Sequence, residues 1–284
     1  MKIGILTFPK MTSYGCSLQM YAMYRAVEKL GAEAEIINYR NEYMKARRHT
    51  SAGRSRVRIK AALRVAATKT LHLRQILAFR RFEAQMSQYP PHVTTDKTAL
   101  AEAAKRYDGV ICGSDQVWNP LITDTDLSFF LDFCGSDTKR IAYAPSFGIS
   151  EFSEEFTAKI RPELEKFSHL SVRETAGVRY VKELVDRPVE TVLDPTFLID
   201  SAEWESLEQA HPLARGKYMF CFPVRNSDAL VKCARALAEK RGLTLIVAQG
   251  NYRKMLRNKD RNVKYAPDLT PGGGCICSIM PIPW

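Results

Sequence analysis

The opening forty residues constrain this chain more than any other stretch. Ile3 to Phe8 is a short, β-favouring apolar run, followed by the polar turn Thr12-Ser13-Tyr14-Gly15. Leu18, Ala22, Ala26 and Leu30 then recur at helical spacing, Gly31 is placed to end the helix, and Glu35 to Tyr39 is a second strand-like run. Strand, helix and strand in so short a span form a βαβ unit, which requires a parallel sheet with helices on its faces. The expected fold class is therefore α/β.

The same rhythm returns further on. A helix over Ala99 to Arg106 feeds a strand at Gly109 to Cys112, and further strands are expected at Arg140 to Ala144, Leu170 to Val172 and Glu190 to Leu193. Helices are expected between them at Glu154 to Phe167, broken near Pro162, and at Thr175 to Leu184. Ser153 followed by Glu154 and Glu155 is a good helix start, because acidic groups offset the positive end of the helix dipole. Past Trp204 and a polar stretch the pattern restarts, with a strand at Tyr218 to Val224, a helix at Ser227 to Arg241 ended by Gly242, and a strand at Leu243 to Ala248.

This predicts two Rossmann-like domains. The first spans 1–210 and carries a basic helical insertion at 40–86; the second spans 211–284. Two strands and one helix cannot bury both faces of a sheet, and the tail Pro271 to Trp284 has neither helical nor strand periodicity. The expectation is that the second domain is cut short, with a shifted reading frame contributing the tail.

Length and composition agree with this plan. A chain of 284 residues suits about two domains, and 45% hydrophobic residues supply a core. The first apolar run is too short for a signal-peptide core, and no stretch approaches the roughly 20 apolar residues of a spanning helix. A soluble, cytoplasmic protein is expected. The seven cysteines are scattered without a CxxC pair, and the five histidines form no HxxxH or HExxH cluster. Neither a disulfide framework nor a zinc site is predicted, and no cofactor is called for.

The net charge of +11 is local in origin. From Arg40 to Arg81 there are thirteen Lys and Arg residues against the single acid Glu42. Such a segment is either a solvated helical insertion or a surface that meets phosphorylated or lipid-linked anions at a membrane face. Aromatic residues able to stack on bases are sparse there (Tyr43, Phe79, Phe82), so nucleic acid is not an expected partner.

In open α/β sheets ligands bind beyond the carboxyl ends of the strands, and the distinctive residues of this sequence fall there. Ser13, Tyr14 and Gly15 follow the first strand. Gly113, Ser114, Asp115, Gln116 and Trp118 follow the strand at Gly109 to Cys112, and Ser146 follows the next. Arg173 ends the strand at Leu170 to Val172, where a guanidinium suits bidentate binding of carboxylate or phosphate; a competing reading pairs it with Glu174. Arg225 would face the same cleft from the second domain. Each has a plainer alternative: Gly15 and Gly113 as tight turns, Asp115 as a cap, Trp118 as a core plug, and Asp194-Pro195 as a turn start. No GxGxxG, Walker loop or GxSxG elbow occurs.

Several segments together carry a family resemblance. They are KIGILTF, SYGCSLQMYAMYRAVEKLGAEAEIINYR, FRRFEAQMSQYP, YDGVICGSDQVWNP, KRIAYAPSFG, SVRETAGVRYVKEL and VETVLDPTFLIDSAEW, in that order, over most of Met1 to Trp204. The chain resembles the polysaccharide pyruvyl transferases; Ser13 departs from the Asn usual there. The resemblance implies a two-domain fold similar to the GT-B glycosyltransferases. It also implies transfer of a pyruvyl group from phosphoenolpyruvate to two hydroxyls of a glycan or lipid-linked saccharide, as a ketal. Arg173 would match the family's SVRE arginine, a donor-anion ligand. The family's second-domain motif, in which a His closely follows a Ser, has no match at His49, His72, His92, His169 or His211. That implies a missing general acid and a chain inactive as it stands. The competing expectations are a nucleotide-sugar glycosyltransferase of the same architecture and a non-catalytic glycan-binding protein.

Overall fold

The computed structural model describes residues 1–8, 13–44, 70, 73–86, 94–207, 212–213, 216–223, 227–248, 255, 258–266 and 269–271. Arg225, most of the basic segment 40–81 and the tail beyond 271 lie outside the described residues. The chain divides into two compact units, Met1–Gly53 with Met86–Asp200, and Arg54–Gln85 with Ser201–Trp284.

The first unit is built on a six-stranded, wholly parallel sheet in the order β2-β1-β3-β4-β5-β6. Its strands are β1 (Lys2–Leu6), β2 (Glu33–Ile37), β3 (Gly109–Cys112), β4 (Lys139–Ala142), β5 (His169–Val172) and β6 (Glu190–Thr191). The register stacks Ile5 between Ile36 and Ile111, and Ile111 beside Ile141. β3 is buried along its whole length, as a central parallel strand covered on both faces must be. The chain moves outward from β1 to β2 and then returns to β3 on the other side, so the direction of winding reverses between β1 and β3.

The helices follow the apolar periodicity closely. α1 (Tyr14–Lys29) ends at Gly31, whose φ of +80° lets the Ala32 amide donate back to the Val27 carbonyl. α2 (Lys97–Ala104) is capped by Asp96, whose side chain accepts from the Thr98 amide. α3 (Pro120–Thr123) is a single turn capped by Asn119. α4 (Glu154–Leu164) is capped by the Ser153 hydroxyl, and α5 (Thr175–Leu184) runs over the residues expected. The expected break at Pro162 does not occur. Pro162 is exposed and sits in the last turn, where the carbonyl freed by its missing N–H can face water.

One face of the sheet packs a large aromatic core. Trp118 is fully buried, stacks on Phe130 at 4.8 Å with an interplanar angle of 9°, and meets Phe147 and Phe167 obliquely. Its indole N–H donates to the Phe129 carbonyl at 2.9 Å, so burial leaves no donor unmet. Arg140 lies buried beneath this core, paired with Glu163 at 2.8 Å and donating to the Cys134 carbonyl.

The second unit contains a separate parallel sheet, β7-β8-β9, made of β7 (Tyr218–Cys221), β8 (Thr244–Ala248) and β9 (Val263–Ala266). The helix α6 (Ser201–Ser206) precedes it, and α7 (Asp228–Lys240) connects β7 to β8. The Ser227 hydroxyl caps α7, and Gly242, at φ +65°, turns the chain out of it. β9 corrects the expectation of two strands and one helix.

Replacing Trp118 with Ala should lower unfolding free energy by about 3–5 kcal/mol, the range for large-to-small changes in an aromatic core. A shifted midpoint in urea denaturation would measure it; a change under about 1 kcal/mol would contradict the packing role.

Candidate functional site

The reversal between β1 and β3 places two loops side by side at the carboxyl edge of the sheet, and this is where polar residues collect. The backbone just past β3 and β4 is locked there. Asp115 and Pro145 form an isolated parallel bridge, the Ser146 amide donates to the Asp115 carbonyl at 2.9 Å, and the Trp118 amide donates to the Ser146 carbonyl. Asp115 has φ +83° and Ala144 has φ +55°, a left-handed conformation that aspartate tolerates better than most residues and that alanine adopts only when the surroundings impose it.

The Asp115 carboxylate is fixed from two sides. Oδ1 accepts from the Gln116 amide at 2.7 Å, and Oδ2 accepts from the Cys16 thiol, in the first turn of α1, at 2.9 Å. Burial first, and then the Asp115 charge, push the Cys16 thiol well above its ordinary range, so it stays a neutral donor. The Ser13 hydroxyl lies beside the same thiol and works in the opposite direction. Behind them, Gln19 donates to Thr7, and the Thr7 hydroxyl donates to the Ser114 carbonyl at 2.9 Å, tying the ends of β1 and β3 together.

Arg173 ends β5 in an acidic setting. Its Nε donates to Glu174 at 3.0 Å, and Nη1 reaches Asp194 at 3.4 Å and the Ser114 hydroxyl at 3.5 Å. Burial pulls the guanidinium pKa down, but Glu174, Asp115 and Asp194 outweigh it and the net shift is upward. Arg173 therefore pairs with Glu174 and stands at the strand ends with no partner for Nη2 among the described residues. At 29% side-chain exposure the ion pairs serve to orient the fork more than to stabilise the fold.

Asp194 belongs to this cluster although its sequence reads as a turn. Oδ1 caps the 3-10 turn Pro195–Phe197 by accepting from the Thr196 amide and hydroxyl, while Oδ2 accepts from Ser114 at 3.1 Å. Asp before Pro signals only the first role; nothing local in the sequence reports a partner 80 residues away. Tyr143, just past β4, was also not anticipated. Burial, and then the Asp194 charge, raise its phenol pKa.

The structure brings Ser13, Ser114, Asp115, Gln116 and Arg173 to one edge. It does not bring Trp118 there: the indole is sealed in the core, which corrects its place among the ligand-facing candidates. Ser146 is 1% exposed, and its hydroxyl accepts from the Gly148 amide, so it braces the loop. Tyr14 is buried, and Gly15 is exposed on the first turn of α1. A Cβ on Gly113 would press on Thr7 at 3.3 Å, so this glycine serves close packing of β3 against β1. Gly148 has φ +65°, and a Cβ there would lie 2.5 Å from Gln116 Oε1. A separate hollow of about 400 Å³, lined by Asn41, Tyr43, Lys97, Asp124, Asp126 and Asp132 among others, had no forerunner in the sequence. Among the described residues no cluster of His, Cys, Asp and Glu could hold a metal ion.

Two parallel α/β sheets, the larger with a cluster of polar residues at the carboxyl ends of its strands, define a Rossmann-like protein with a candidate site at that edge. The chain matches the family described as polysaccharide pyruvyl transferase over residues 14–268, and it belongs to that family. No curated protein matches it. Family membership supports a role in pyruvyl transfer.

Native-state alkylation at pH 8, followed by peptide mass mapping, should modify exposed Cys233 and spare Cys16, Cys112 and Cys134. Burial raises all three thiols, Cys134 to about 12, so almost no thiolate forms at that pH. Rapid labelling of Cys16 would contradict its role as a neutral donor to Asp115.

Proposed function

We propose that the protein serves transfer of a pyruvyl group from phosphoenolpyruvate to two hydroxyls of a glycan or lipid-linked saccharide, forming a ketal and releasing phosphate. Its matched residues are assigned to binding, and the family's histidine motif, the implied general acid, has no match in this sequence. Two protons leave the acceptor oxygens. The balance requires one proton to reach the methylene carbon of the donor, making a methyl group, and one to leave with phosphate. A dianionic phosphate beside a carboxylate needs a fixed cationic fork, and that need is greatest as charge builds on the departing phosphate.

The observation that carries this reading is Arg173. It stands at the carboxyl end of β5 in the family's matched region, with Nε and Nη1 oriented by Glu174, Asp194 and Ser114 and with Nη2 without a partner among the described residues. On this reading Arg173 holds the donor carboxylate or phosphate. The basic segment 40–81 is assigned to a lipid-linked acceptor at a membrane surface. No helix among the described residues is long and apolar enough to cross a membrane.

The full chain should be incubated with phosphoenolpyruvate and bacterial surface glycans, following phosphate release and the methyl singlet of a ketal by NMR. Arg173→Lys keeps the charge and loses the planar fork, and should raise KM for phosphoenolpyruvate about tenfold or more. An unchanged KM in that variant would remove Arg173 from the donor site. Consumption of a nucleotide sugar in place of phosphoenolpyruvate would overturn the reading.

A further inference from the structure

The strand-end cluster has two chemically different ends. At one end Arg173 offers N–H donors bearing positive charge. At the other, the consecutive residues Asp115 and Gln116 bear a carboxylate and a primary amide, and both residues are partly exposed. The orientation of the amide is settled. Asn119 Nδ2 donates to Gln116 Oε1 at 2.9 Å, and Asn119 Oδ1 is occupied by the Leu121 amide, so the Asn119 side chain cannot be reversed without losing a cap. Among the described residues, Gln116 Nε2 is left with two N–H groups and no acceptor. Asp115 accepts one hydrogen bond on each oxygen and has lone pairs to spare.

A carboxylate that accepts next to an amide that donates matches a pair of neighbouring hydroxyls, each of which both donates and accepts. It does not match an anion, which Asp115 would repel. We infer that Asp115 and Gln116 form the acceptor-hydroxyl site, gripping a diol of a pyranose ring while Arg173 holds the donor. This rests on the reading of the chain as a glycan-directed transferase and assigns its substrate to particular atoms. Asp115 lies close enough to Arg173 for its charge to be felt by the guanidinium, so the hydroxyls and the donor would meet at one edge. The strained backbone gives the site its rigidity: the Asp115–Pro145 bridge and the Cys16 and Gln116 donors hold the carboxylate in place before any ligand arrives. Gly148 belongs to the same device, because any side chain there would collide with the Gln116 amide.

The test is direct binding without turnover. Methyl pyranosides of the gluco, galacto and manno series are titrated onto the full chain by saturation-transfer NMR, and phosphoenolpyruvate is titrated separately by calorimetry. Wild type should bind at least one pyranoside. Asp115→Asn and Gln116→Met should each weaken that binding about tenfold or more, the loss expected for a hydrogen bond involving a charged or fixed polar partner. Phosphoenolpyruvate binding should be unchanged or tighter in Asp115→Asn, since a negative charge beside Arg173 is removed. Asparagine tolerates positive φ as aspartate does, so that variant is expected to fold; circular dichroism checks it, and Gln116→Met tests the site independently. Failure of wild type to bind any pyranoside, or equal binding by wild type and both variants, overturns the inference. Pyranoside binding that depends on Asp115 and Gln116, without phosphate release from phosphoenolpyruvate, would leave this site standing and sink the pyruvyl-transfer reading instead.

Discussion

The backbone coupling between the ends of β3 and β4 is the constraint on which the candidate site depends. The Asp115–Pro145 bridge extends the sheet by one step after both strands have stopped being regular, and the two residues that make the turn, Asp115 and Ala144, adopt positive φ to do so. Each such residue costs on the order of 1 kcal/mol or more, and the conformation persists only because its neighbours over-determine it. Here the neighbours are identifiable. The Ser146 amide, the Trp118 amide and the sealed Trp118 indole hold the loop from below, while Cys16 and Gln116 hold the Asp115 carboxylate from above. Releasing the indole would free the loop, and with it the direction of Asp115.

This arrangement also explains why a guanidinium can sit among carboxylates and still serve a ligand. Glu174, Asp194 and Asp115 together bear more negative charge than Arg173 neutralises, so the side chain is oriented in the free protein and its basicity is raised. A donor anion would have to compete with those carboxylates for the fork. What it gains is a fork already aimed, losing less rotamer freedom than a solvated arginine would. Asp194 is central because its two oxygens act in different places, one fixing its own turn and the other holding Ser114 and Arg173.

Much of the fold was legible because parallel sheets write a simple pattern. β3 and α5 lie on the residues expected, and the caps at Ser153 and Gly242 act as their residue types imply. The misses have physical causes. β9 is four residues long with Lys264 in its middle, so its apolar run is too broken to announce a strand. Pro162 lies in the last turn on an exposed face, where its missing N–H is tolerated. The third strand of the second sheet therefore came from pairing with β8, a tertiary fact without local signal.

The site was legible in residue types and illegible in direction. Sequence could place Asp115, Gln116 and Trp118 on one loop, but the positive φ at Asp115 and the complete burial of Trp118 are tertiary outcomes without local signal. Aromatic identity carries no such information; a tryptophan at a strand end stacks on a sugar or fills a core with equal ease. Cys16 shows the converse. It is buried, as a free cysteine usually is, yet its thiol has a definite partner, because a carboxylate held at the first turn of α1 needs a donor. The same hydrogen bond that keeps Cys16 protonated fixes the direction of the Asp115 carboxylate.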